Sequence, residues 1–240
     1  MHPRILLDDT VAEAIGRRRR RDPVRPVTGG PAGNARLTAW LGVLLLTLFL
    51  VELATLLTVE GLLSWHIVVG VLLVPPALVK TGSTGWRIVR YYTGHPAYRK
   101  AGPPPTLLRV LGPLVVLSTL AVLGTGLALI ALGPDAARTP LLTVLGYQIT
   151  ALPLHQGTFL VWAAATGVHV LGRLVPAARI LSGPTAAGNA VPAGRQRGVL
   201  LLTTMLAAAL AAWFVLNASA AWLTADLHQH RGHETATISR

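Results

Sequence analysis

Three histidines frame the chemistry open to this 240-residue chain. His155 and His169 lie in the apolar run "LHQGTFLVWAAATGVHVLGRL", residues 154–174, which holds no acidic residue and no lysine. His66 lies in a second apolar run, in "SWHIVVG". Fourteen helical residues fall about 40° short of four full turns and rise about 21 Å, so His155 and His169 share one helix face. With the topology read below, His66 and His155 sit at one depth on two helices. Neutral imidazoles are good metal ligands, and two of them at matching depth on facing helices suit bis-histidine axial ligation of haem iron. A lone histidine near a membrane surface is commonly just a polar group within reach of headgroup water. Three in register ask for more, because ionisable residues inside a span are costly.

The elements that must position these rings follow from composition. The chain is 52% hydrophobic and 12% charged, with a mean hydropathy of +0.56. A soluble domain cannot bury that much apolar surface, so the expected fold is an all-α, polytopic membrane protein. Five runs are long enough to cross a hydrocarbon core: Leu37–Thr58, Leu62–Lys80, Leu107–Leu132, Leu154–Leu174 and Val199–Thr224. The first four are expected to form the bundle around the cofactor. The first run starts too late and runs too long for a cleaved signal peptide, and reads as an anchor. Residues 1–35, rich in Arg, Pro and Gly, read as a mobile amino-terminal tail, residues 36–226 as the transmembrane domain, and residues 227–240 as a carboxyl-terminal tail.

The chain has no cysteine, which excludes disulfides, thiolate metal sites, iron–sulfur clusters and covalent c-type haem. Its net charge of +12 is distributed by side. Eight of the 21 Lys and Arg precede the first span, six lie from Lys80 to Arg109, and four flank the loop between the last two spans, leaving Arg138, Arg231 and Arg240 opposite. That is the positive-inside pattern of a bacterial cytoplasmic membrane protein, with its amino terminus inside and its carboxyl terminus outside. The basic charge therefore reads as a lipid-facing topology signal, and nucleic acid is not an expected partner.

Further residues could complete a site. Gly70 lies one turn after His66, and Gly124, Gly126, Gly157, Gly167 and Gly172 could let a flat macrocycle or another helix approach closely. Arg173, one turn below His169, could bind haem propionates with Arg87 or Arg90 nearby, or simply snorkel. The position fourteen beyond His66 is Lys80, so a second ligand opposite His169 must come from elsewhere. His95 is the candidate, if Pro75, Pro76, Gly82 and Gly85 let residues 86–100 fold back along the interface. Otherwise His169 and that loop would line a quinone pocket. Glu52, the acid deepest in a span, could relay protons or hydrogen-bond a neighbouring helix. Tyr147 and Gln148 lie in an apolar outer loop that could cap the site. His228, His230 and His233 form a histidine-rich tail that could bind zinc or copper.

One helix with two histidines four turns apart, and a histidine on another helix, resembles the di-haem cytochrome b subunits of membrane formate dehydrogenases and nickel–iron hydrogenases, and related small bacterial cytochrome b proteins. The resemblance spans residues 38 to 175. It implies that His66 and His155 hold an outer haem b, that His169 serves an inner one, and that the chain carries electrons between menaquinone or ubiquinone and a partner oxidoreductase subunit. In that family the inner haem's other ligand commonly comes from the first span; here that span has no histidine. With no flavin, molybdenum or nucleotide domain, the chain would be an electron conduit within a complex. The rival expectations are a small membrane transporter or assembly subunit without haem, and a transmembrane metal-ion reductase using the histidine tail.

Overall fold

A computed structural model describes residues 3–17, 22–182, 191–220 and 222–224. The order is α1 (Pro3–Ala14), α2 (Gly30–Thr55) with a 3-10 turn at Leu56–Thr58, α3 (Val59–Tyr92), α4 (Pro96–Ala101), α5 (Thr106–Ala136), a hairpin of β1 (Leu142–Val144) and β2 (Tyr147–Ile149), α6 (Ala151–Ser182) and α7 (Gly194–Ala218). Five helices are long and apolar enough to span a membrane. The chain is an all-α membrane protein of the expected span number. Large apolar side chains such as Leu117, Leu160, Leu202 and Leu206 face outward, as a lipid-solvated surface requires.

α3 is the centre of the bundle. Its buried residues Ile67, Val69, Val71 and Leu73 step by two, about 200° on a helix, so opposite faces are both covered. α2 covers one side and α7 another, while α5 and α6 form a second tight pair joined to the first through α2–α6 and α3–α5 contacts. The fifth span is thus an integral part of the packing. The reason lies in a stripe of small residues on α7, Thr204, Ala208 and Ala212, all buried at four-residue steps, which lets two backbones approach.

α3 does not stop at Lys80. It runs on to Tyr92, through Pro75 and Pro76. The expected fold-back of residues 86–100 does not occur at those breakers. Proline removes a helical hydrogen bond, yet surrounding helices make this tolerable within a membrane, and Pro76 is fully buried. The reversal comes at Gly94, whose φ of 83° a side chain would disfavour. α5, in contrast, breaks where the apolar run ends, at Gly133 (φ 76°) followed by Pro134. Near this break the Leu129 carbonyl accepts a 2.9 Å bond from the Trp222 indole. In the expected amino-terminal tail, α1 is a helix packed against α5 and α6, with Glu13 buried.

Replacing the fully buried Ala208 by Leu should wedge α7 from α3, at a cost of about 1–3 kcal/mol. Thermal unfolding in detergent should show a lowered midpoint, whereas Leu210→Ala on the exposed face should leave it nearly unchanged.

Candidate functional site

Two helix pairs each hold one imidazole, and the bundle brings the two rings together. His66 on α3 and His155 on α6 lie with ring centroids 6.4 Å apart and planes inclined by 77°. His66 Nδ1 is 2.9 Å from Glu52 Oε1 and 3.1 Å from Thr55 Oγ1. His155 Nδ1 is 3.0 Å from Thr125 Oγ1. The supporting residues come from the end of α2 and the middle of α5.

A neutral imidazole carries one N–H. On its Nδ1 side His66 meets both the Glu52 carboxyl at 2.9 Å and Thr55 Oγ1 at 3.1 Å. His155 meets Thr125 Oγ1 through Nδ1 and also hydrogen-bonds the Val122 backbone carbonyl. Both rings are thereby anchored to a neighbouring helix. The Glu52 carboxylate behind His66 makes the carboxylate–imidazole arrangement that orients a metal-binding ring and raises its basicity.

Glycines position both rings closely. A Cβ on Gly126 would lie 3.2 Å from His155 Cε1, so this residue seats the ring against the α5 backbone. A Cβ on Gly70 would lie 3.4 Å from Glu52 Oε1, which makes Gly70 the place where the carboxylate approaches α3 rather than a wall for a macrocycle. Gly172 meets Leu108 of α5 instead. One level further in, Trp162 packs edge-on to Phe49 with centroids 4.5 Å apart and donates to Thr119 Oγ1 at 2.9 Å. These aromatics fill the bundle between the two histidine levels.

The inner level is built differently. His169 is faced by Lys80 and Arg173, and its Nδ1 is buried without a hydrogen-bond partner. Lys80 Nζ donates to the Thr38 carbonyl at 3.0 Å, close against Gly42. Arg173 is paired with Glu13 of α1 at 2.8 Å. His95 meets Arg25, whose Nη1 lies 2.8 Å from its Nε2, and not His169. Helix rise alone puts Tyr92 about 39 Å from the level of His66, well past that of His169 at about 21 Å. Arg87 is held by Asp22 through bonds of 2.7 and 3.2 Å, and Arg90 lies over Trp86. Tyr147 and Gln148 are exposed on the hairpin. His228, His230 and His233 lie outside the described residues.

Among the described residues no group of three or more His, Asp or Glu is gathered to hold a bare metal ion. The donor set at His66 and His155 fits a macrocycle's axial positions better, since there the ring nitrogens of the cofactor supply the other ligands. With ring centres 6.4 Å apart, His66 and His155 are the residues that would hold such a group. Sequence reasoning named Gly126 as a point of close approach but missed Thr55 and Thr125 as positioning residues, because which faces of apolar helices meet leaves no mark on the sequence. Compared with known protein families, characterised proteins and solved structures, the chain gives no match.

Thr125→Val removes one of the two groups that bond the His155 ring, leaving the Val122 carbonyl, and should cost about 0.5–1.5 kcal/mol. Unfolding by titration with a denaturing detergent should show the loss, and Thr125→Ser should recover most of it.

Proposed function

We propose that the chain is a membrane b-type cytochrome in which His66 and His155 bind one haem b, carrying electrons between a quinone and a partner oxidoreductase subunit. One observation carries the proposal: two imidazoles from different helices, each anchored on its Nδ1 side, with ring centroids 6.4 Å apart. Bound haem would supply reversible one-electron chemistry. The protein's own residues supply the ligands and their environment. Thr55 and Thr125 anchor the rings, Gly126 seats one of them, and the Glu52 carboxylate would strengthen His66 as a donor, favouring the oxidised metal. Menaquinone or ubiquinone would serve as the lipid-soluble partner.

The Lys and Arg distribution supports an amino terminus in the bacterial cytoplasm and a carboxyl terminus outside, which puts the site near the outer surface. A redox subunit docked there would lie close to it. The inner level offers His169 opposite Lys80 and no second imidazole among the described residues, so the reading favours one haem. Glu52 bonded to His66 also suits proton relay, and this contact favours a haem-free, proton-linked transporter as the second reading. A metal-ion reductase would depend on the histidine tail, outside the described residues.

Purified protein, expressed with haem supplied, should give a b-type band in its reduced-minus-oxidised visible spectrum and about one haem per chain by pyridine haemochrome assay. His66→Ala and His155→Ala should each abolish the band, and His169→Ala should retain it. A colourless, folded protein would refute the cytochrome reading and leave the transporter.

A further inference from the structure

A second site lies at the arginine-rich end of the bundle, far from the paired histidines. Arg25, just before α2, reaches His95 at the start of α4, and Arg25, His95, Pro96 and Ala97 line an open cavity of about 280 Å³. An arginine only donates, so its 2.8 Å contact makes His95 Nε2 the acceptor and leaves the neutral ring's proton on Nδ1. That Nδ1 is buried and has no hydrogen-bond partner in the protein. His95 thus holds the guanidinium from one side, and Arg25 lines the open cavity with N–H groups to spare.

The electrostatics name the acceptor's charge. No carboxylate among the described residues is bonded to Arg25, because Asp22, three residues away, is committed to Arg87. Arg99 and Lys100 follow one turn along α4. The Arg25 stem is pinned against Gly30, where a Cβ would come within 2.8 Å of its Cγ, so the head is held toward α4. The His95 ring is fixed edge-on by Tyr98, centroids 5.3 Å apart, and Tyr98 is buried. Exposed Trp86 and Tyr92 near the end of α3 are the aromatic belt expected at a membrane–water boundary. A guanidinium held in place by the His95 ring recognises phosphate oxygens through its remaining N–H groups, and at this depth the abundant phosphates are those of lipids.

We propose that the cavity between Arg25 and His95 binds the phosphate of an anionic phospholipid, pinning the segment before α2 to the start of α4. The full chain, purified in detergent with equal phosphatidylglycerol and phosphatidylcholine, should retain phosphatidylglycerol preferentially when bound lipids are counted by native mass spectrometry. Arg25→Gln should reduce that retention at least about fivefold, as expected for loss of a charge-assisted bond. Arg109→Gln, which removes an equal charge from an exposed site on the same face, should leave it unchanged. His95→Phe keeps a ring against Tyr98 and should lower retention too, so the test survives if the first variant folds poorly. Millimolar inorganic phosphate should not displace the lipid. Equal retention by wild type and both cavity variants would overturn the proposal, and displacement by free phosphate would reassign the site to a soluble anion.

Discussion

An imidazole inside a bilayer must find a partner for its N–H, and the rest of this structure is arranged around that need. At the paired rings neighbouring helices supply it. Glu52 and Thr55 at the end of α2 meet His66 at 2.9 and 3.1 Å. Thr125 and the Val122 backbone of α5 meet His155. The two anchored rings then lie with their centroids 6.4 Å apart.

The helix packing serves that geometry. α2 approaches α3 closely enough for Glu52 and Thr55 to reach His66, and α5 approaches α6 closely enough for Thr125 to reach His155. Small residues permit both approaches, Gly70 beneath the carboxylate and Gly126 beneath the ring. α7 covers another side of α3 through its Thr204–Ala208–Ala212 stripe. At the other end, Glu13 of α1 pairs with Arg173 and closes the bundle's inner side. The outer and inner levels therefore differ in kind. One gathers two imidazoles from different helices, and the other gathers cations around a single ring.

Depth was legible in the sequence and facing was not. Apolar runs give span number, and residue spacing along helices crossing in the same direction gives matching levels, so His66 with His155 and Lys80 with His169 follow from counting. Which helices touch is hidden, because lipid and protein interior are both apolar and a span need not be amphipathic. The docking of α1, the packing of α7 on α3 and the role of Thr125 were invisible for that reason, and Gly126 could be named as a point of close approach but not assigned to His155. The expected fold-back before His95 failed on a related point. Prolines that would end a helix in water are carried within a membrane helix, and α3 ends only where Gly94 takes a left-handed conformation.

The central claim is that residues 66 and 155 ligate one iron from opposite sides with their ring planes nearly perpendicular. Electron paramagnetic resonance of the oxidised protein tests it most directly, since crossed axial imidazole planes leave two iron d orbitals nearly degenerate. The account predicts a low-spin ferric signal of high anisotropy, consistent with planes inclined by 77°. A high-spin ferric signal from haem-loaded protein, or a low-spin signal unchanged after His155→Ala, would contradict it.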